Sequence, residues 1–453
     1  MSHPERAREF ARDPERVAWH DGAVWSVRTR RDAAAAGVAD WEALRETAAR
    51  IRAHTLSRLP DYLEQLEDRA SLVGVTVHWA ADAAEHNEIV HGILYDHGVT
   101  RVVKSKSMLT EECELNPHLE AHGIEVVDTD LGERIVQLRG EPPSHIVMPA
   151  IHLRREEVGE LFHQRLGAPA GLSAPEPLVE IARERLRAQF LEAQAGITGV
   201  NFAVAETGGL VVVTNEGNAD LGTALPPLHI ACMGVEKVIP RTRDLGVFLR
   251  LLARSATGQP ISSYTSHFHG PRPGGALHLV MVDNGRSRLL GRESLRPSLA
   301  CIRCGACLNT CPVYRRSGGH SYATPVAGPI GSVLSAARDI EAHASLPSAC
   351  SLCGSCAAVC PVKIELPGML RTLRVDAVAA GAIEPGMRWA ARLGSQLLRR
   401  PRMLALAVRL GRRWLPRLAS RWLADDSIAG QRELPELAAR SFREQWRARD
   451  AED

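Results

Sequence analysis

Apolar residues recur at helical spacing between Asp40 and Arg69: Trp41, Leu44, Ala48 and Ile51, then Leu59, Tyr62, Leu63 and Leu66. This spacing predicts a helical hairpin, with Pro60 tolerated in the first turn of the second helix. The pattern then alternates between strand and helix periods. "VTVHWA" (75–80) predicts a strand and "DAAEHNEIVHGILYDHG" a helix ending at Gly98. "TRVVKSK" predicts a strand, "TEECELNPHLEAHG" a helix and "IEVVDTD" a further strand. Alternation at this pace implies βαβ units and a parallel sheet. A long helix is predicted over 176–195. Strands follow in "VNFAVAE", "GLVVVTNEG", "HIACMGV" and "EKVIP", then a helix over 242–255 and a strand in "ALHLVMVDNG". Four segments result: an extension (1–39), expected to be irregular and draped over the rest; an α/β domain with its helical hairpin (40–290); a Cys-rich part of short helices and loops (291–385); and a basic helical tail (386–453).

Composition narrows the function class. The 453 residues call for two or three domains, and 45% of them are apolar. A formal charge of +2 argues against a general polyanion binder. Arg outnumbers Lys by 51 to 4, which reads as a lineage bias and singles out each Lys. Neither a signal-peptide core nor an apolar run of membrane-spanning length is present, so the expected location is cytoplasmic. Clustered Cys in a reducing compartment point to metal or redox chemistry. Residues 386–424 carry ten Arg, three Trp and no acidic residue. Such a segment either lies on the inner face of an anionic membrane or packs on the body or a partner, the simpler of the two.

Eight of the ten Cys fall in "CIRCGACLNTCPV" (301–313) and "CSLCGSCAAVCPV" (350–362), which agree at seven of thirteen positions. Both obey C-x2-C-x2-C-x3-C-P, in which three thiolates hold one iron–sulfur cube and the fourth ligates the other. The motif therefore predicts one [4Fe-4S] cluster on Cys301, Cys304, Cys307 and Cys360, and a second on Cys350, Cys353, Cys356 and Cys311. Gly305 and Gly354 allow backbone N–H groups to approach the sulfurs. Zinc is the rival occupant, but its sites usually place two short Cys pairs across a longer gap. Cys113 and Cys232 read as small buried hydrophobes. Two such clusters form a one-electron wire. With no GxGxxG after a strand and no flavin motif, the two-electron chemistry is expected on a partner or in the α/β domain.

In open α/β sheets ligands sit beyond the carboxyl ends of the strands. "TRVVKSKSMLTEE" places Lys104, Ser105, Lys106 and Ser107 there, with Thr110 as a candidate N-cap, making an anion site or else a solvated basic loop. Glu206 and Glu216 are weak candidates for acid–base work, and the loop Asn215-Glu216-Gly217-Asn218 is equally a hairpin turn.

"VHWA" (77–80), "VVKSKSMLTEE" (102–112), "GIEVVDTDLGERIVQL" (123–138), "VNFAVAETGGLVVVTNEGN" (200–218) and "LPPLHIACMGVEKVIP" (225–240), followed by the double Cys runs, resemble the lactate-utilisation iron–sulfur protein B family. The resemblance covers about 40–380, with an echo in "SFREQWRAR". It implies a LUD domain similar in fold to ribose-phosphate isomerases and CoA-transferases, followed by a two-cluster ferredoxin-like domain. It implies an electron-transfer subunit, not catalytic alone, in a system oxidising L-lactate to pyruvate. The implied partners are a Cys-rich protein and a smaller LUD-domain protein. Residues 262–278 are shorter than the family pattern leads one to expect, which leaves the role of that loop open. The rival functions are electron transfer for another 2-hydroxy acid such as glycolate, a quinone- or heterodisulfide-type reductase subunit, and a redox sensor.

Overall fold

The computed structural model describes residues 1–383, 385–422 and 438–449. In chain order the described strands are β1 (Thr76–Ala80), β2 (Arg101–Lys104), β3 (Glu125–Asp128), β4 (Ala195–Gly199), β5 (Phe202–Val204), β6 (Gly209–Thr214), β7 (Leu228–Gly234), β8 (Val238–Ile239), β9 (Tyr264–Phe268) and β10 (Ala276–Val282). Six of them form a sheet in the order β1-β10-β7-β4-β2-β3, parallel throughout. Its central strand β7 is buried along its whole length, as expected for a parallel strand covered on both faces. The polar residue within β7, His229, bonds the Thr198 hydroxyl of β4 at 2.8 Å. A second sheet, β8-β5-β6-β9, pairs β5 with β8 in parallel and is otherwise antiparallel.

Several expectations change. The helix expected over 176–195 spans Pro175–Glu192, and "AGITG" behind it is β4, at the middle of the sheet. Its glycines look like a turn, yet Gly196 is needed because a Cβ there would collide with the Gly222 carbonyl. The helix expected over 110–123 is two, Met108–Glu112 and Leu115–Ala121, broken where Glu114 takes φ 54°. The shorter segment 262–278 contains β9, which was not foreseen. Asn215–Asn218 is not a hairpin turn: it leads from β6 into the helix Asn218–Ala224.

The extension is not irregular. It forms the helices His3–Ala11 and Pro14–Ala36, each with a Pro in its first turn, and Asp13 caps the second by accepting from Arg16 N at 2.9 Å. The second helix packs on the short helices Ala306–Thr310 and Pro312–Ser317 of the Cys-rich part. Both parts share one core, in which Phe202 and Phe248 of the α/β part belong with Ile302, Leu308, Ile330 and Leu373. Met1–Ala382 accordingly form one compact unit, and Ile383–Asp453 a second.

The second unit contains the helices Pro385–Leu398, Pro401–Trp422 and Phe442–Arg449. Trp389, Leu393, Leu398 and Leu406 are exposed. The side chains of Trp414, Leu415, Leu418 and Trp422, and the tail residues 423–437 and 450–453, lie outside what the structure describes. No described helix is long and apolar enough to cross a membrane.

Candidate functional site

The two Cys runs fold alike. In each, the residue before the second Cys is left-handed, Arg303 at φ 58° and Leu352 at φ 56°, and so is the Gly after it, Gly305 at 75° and Gly354 at 81°. A short helix follows, Ala306–Thr310 in one run and Ser355–Val359 in the other, and the two helices pack on each other. Left-handed backbone costs a non-Gly residue about 1–2 kcal/mol. Here it turns amides toward sulfur: Arg303 N donates to Cys301 Sγ at 3.4 Å and Leu352 N to Cys350 Sγ at 3.3 Å. Ile364 N donates to Cys360 Sγ at 3.3 Å.

The runs exchange their last Cys. Cys301, Cys304, Cys307 and Cys360 line one small cavity. Cys311 feels the charges of Cys350 and Cys353, and Cys356 those of Cys311, Cys350 and Cys353. All eight are free of disulfides. Burial pushes the Cys311 and Cys360 thiols up to about 11 and Cys356 up to about 12, with neighbouring cysteines adding to it. Thiolates gathered in such surroundings require a strongly positive occupant. The donor set of four sulfurs per group, with amides aimed at them, fits an iron–sulfur cube.

Buried arginines hold these loops in place. Arg45 donates to the Cys360 carbonyl at 3.0 and 2.8 Å and to Ala358 O at 2.9 Å. Arg31 reaches Val359 O at 3.0 Å. Arg52 ties Val238 O (2.9 Å) to Leu299 O (2.7 Å), linking the second sheet to the start of the Cys-rich part. A planar guanidinium presents five donors in a fixed fork that spans carbonyls set apart from one another, a geometry that the single ammonium of a lysine does not reproduce. Part of the Arg excess is therefore structural and not only a lineage bias.

Beside the first Cys group lies a cavity of about 240 Å³ at the carboxyl ends of β2, β4 and β7. Lys106 and Ser107 follow β2, Gly199 ends β4, and Glu236 and Lys237 follow β7, while Arg303 and Cys304 form the wall toward the Cys-rich part. Arg286 pairs with Glu236 at 2.5 Å and with Glu112 at 3.1 Å. Gly234 is required here, because a Cβ would strike that pair. Burial opposes ionisation of Glu236, but the charges of Arg286, Lys237 and Arg303 outweigh it and hold the carboxyl near 2. Burial pushes Lys237 down to about 8, against the pull of Glu236. By accessible surface Lys237 is half-buried, and among the described residues its side chain makes no hydrogen bond or ion pair. Among the described residues Arg303 Nη1 is buried without a hydrogen-bond partner, and its Nη2 is 3.8 Å from Glu236.

The residues expected to bind an anion separate. Lys104 is fully buried and neutralised by Asp128 (2.7 Å), Glu111 (3.0 Å) and Glu133 (3.9 Å), so it is neither an anion site nor a solvated loop residue. Thr110 is not the N-cap: Ser107 is, accepting from Thr110 N at 3.4 Å, and Thr110 itself is buried. Ser105 is buried, and among the described residues its hydroxyl has no hydrogen-bond partner. Lys106 does line the cavity, but it is held by Asp130 (2.7 Å) and Val147 O (3.0 Å). Glu216 also lines the cavity and accepts from Leu131 N at 3.0 Å; burial and then Asp130 raise its carboxyl. Glu206 is spent on Thr242 N at 2.9 Å, as a surface helix cap outside the cavity. Sequence reasoning missed Lys237 and Arg303. One is among the four lysines, and the other sits inside the first Cys run.

Residues 63–288 match the LUD domain family and residues 297–364 the 4Fe-4S dicluster domain family. Fold and site thus define an α/β LUD protein with two [4Fe-4S] clusters as its cofactors. "Lactate utilization protein B" of Shouchella clausii is 45% identical over 372 residues, covering 78% of each chain. The protein of that name from Geobacillus sp. WCH70 is 47% identical, covering 77% of this chain and 75% of its own. An "uncharacterized electron transport protein" of Escherichia coli K12 is 45% identical, covering 74% and 72%. The chain belongs to the lactate utilization protein B family. A solved DUF162 family protein from Deinococcus radiodurans covers 49% of this chain and 98% of its own at 16% identity, with a TM-score of 0.28.

Proposed function

We propose that this chain is the iron–sulfur electron-transfer subunit of a complex that oxidises L-lactate to pyruvate. The observation that carries this is the pair of four-Cys groups built by exchange of the last Cys and packed side by side. The name of the relatives, lactate utilization protein B, supplies lactate. Cys301, Cys304, Cys307 and Cys360 would hold one cluster, and Cys350, Cys353, Cys356 and Cys311 the other. Each cluster, when bound, is a one-electron carrier. The chain's own part is to hold the thiolates, supply N–H donors to them and shield the first group with the Arg-bound loops and the N-terminal helices, while Cys353 of the second group stays exposed.

The proposed partners are a Cys-rich protein and a smaller LUD-domain protein. The exposed Trp389, Leu393 and Leu406 on an Arg-rich helical pair support docking of the tail on an anionic membrane surface. Sedimentation with anionic vesicles, comparing the full chain with one whose tail Arg are replaced, tests that contact; equal or absent binding rules it out.

The decisive experiment is anaerobic co-purification with the partners, followed by EPR after L-lactate is added. A reduced-cluster signal is expected. A sample that dithionite reduces and L-lactate does not would remove lactate from the reading. Growth separates the donors, since loss of the gene should abolish growth on L-lactate and spare growth on glycolate. Cys360→Ser and Cys311→Ser should each lower iron from about eight to about four per chain. Their residual EPR signals should differ, because each variant spares a different cluster.

A further inference from the structure

The cavity at the carboxyl ends of β2, β4 and β7 has a use that electron relay does not require. Two of the cations that line it are already neutralised: Arg286 is shared between Glu236 and Glu112, and Lys106 is held by Asp130. Two others are not: among the described residues the half-buried Lys237 side chain has no hydrogen bond or ion pair, and Arg303, whose Nη2 is 3.8 Å from Glu236, keeps its other terminal nitrogen buried and unpartnered. An unmatched buried donor such as this Arg303 nitrogen is costly, and chains rarely keep one without an occupant. The cavity's volume of about 240 Å³ lies below the roughly 300–1,000 Å³ typical of drug-sized ligands and is too small for a dinucleotide. Val213, Leu252 and Ala256 give it an apolar side. Cys304, from the first Cys group, is part of its wall.

We infer that this cavity binds a small aliphatic carboxylate of the 2-hydroxy or 2-oxo acid class, its carboxylate held by Lys237 and Arg303 and its short carbon chain against Val213, Leu252 and Ala256. The inference rests on the reading that Cys301, Cys304, Cys307 and Cys360 hold a cluster, because that places the bound acid against a cluster ligand. A guanidinium and an ammonium lining one cavity suit a carboxylate, which accepts through both oxygens. The rival use for the two cations is to balance the negative charge of the cluster alone.

The test uses the anaerobically purified full-length protein with its iron counted. Sodium pyruvate and sodium L-lactate are titrated by calorimetry, with sodium chloride and sodium phosphate as controls. EPR of the dithionite-reduced protein is recorded with and without each acid. Saturable binding of at least one acid is expected, with a change in the EPR line shape at saturation. Lys237→Met and Arg303→Met should each weaken binding about tenfold or more. Ala256→Leu, which fills the cavity without touching a charge, should abolish binding at unchanged iron content, so the inference stays testable even where a cation variant misfolds. Four outcomes overturn it: no saturable heat beyond chloride, tighter binding of phosphate than of either acid, binding unchanged in Ala256→Leu, or cation variants that shift the ligand-free EPR but leave acid binding intact. The underlying reading fails separately: iron near four per chain in the wild type would sink the cluster assignment, whereas iron near eight with no acid bound sinks only this inference.

Discussion

Lys104 shows how far a side chain's role depends on its surroundings. Burial alone would lower its pKa, but Asp128, Glu133 and Glu111 hold it well above the ordinary lysine value. Replacing it by Met strands Asp128 and Glu133 in the interior, with Glu133 oxygens that already lack hydrogen-bond partners. Loss of one partner from a buried ion pair costs about 3–5 kcal/mol. Lys104→Met should therefore lose that much in urea unfolding, and adding Asp128→Asn should restore part of it. In β7 of the same sheet, His229 is kept neutral: burial lowers its pKa from 6.5 to about 3. A depressed folded pKa gives stability that is complete above about 6.5 and is lost as pH falls toward 3, by up to about 1.4 kcal/mol per pH unit. His229→Gln should unfold with a flatter pH dependence between about pH 7.5 and about pH 5.5. An unchanged slope would mean that His229 carries its proton in the folded protein.

At the scale of elements, the Cys runs were readable because their ligands are local in sequence and their spacing is fixed by the cluster. The motif implied the exchange of Cys311 and Cys360, and the two helices Ala306–Thr310 and Ser355–Val359 pack so as to allow it. Strand β4 was not readable, since "AGITG" is short and glycine at its second position answers to a distant carbonyl rather than to a turn. The N-terminal helices were hidden for a related reason. Pro14–Ala36 spends Arg28 and Arg31 on the Cys-rich part, donating to Thr310 Oγ1 and Val359 O, so polar residues point inward and blur the apolar period. The hairpin helix Trp41–Ser57 uses Arg45 in the same way. Arg45→Met leaves the Cys360 and Ala358 carbonyls without this donor, at a cost of about 1–3 kcal/mol. Its visible absorbance should bleach faster in air than that of the wild type, and Arg45→Lys should recover little, because one ammonium cannot reproduce the fork.

Over the whole molecule, the α/β and Cys-rich parts do not behave as beads on a string. Phe202, Phe248, Leu299 and Ile302 belong to one core, and Arg52 bonds carbonyls on both sides of the boundary expected between 290 and 291. Residues 1–382 should therefore melt in one cooperative step, and ending the chain at Ala382 should leave the iron content and that transition essentially unchanged. Two separated transitions within 1–382 would contradict the shared core.

The sequence by itself determined the two cofactors, the alternating α/β architecture and the family, because ligand spacing and hydrophobic period are local properties of the chain. Only the tertiary structure decided which lysine is spent on carboxylates and which is left facing a cavity. Lys104 and Lys237 look equally basic in the chain, but their states depend on charges up to tens of residues away that folding brings within a few ångströms.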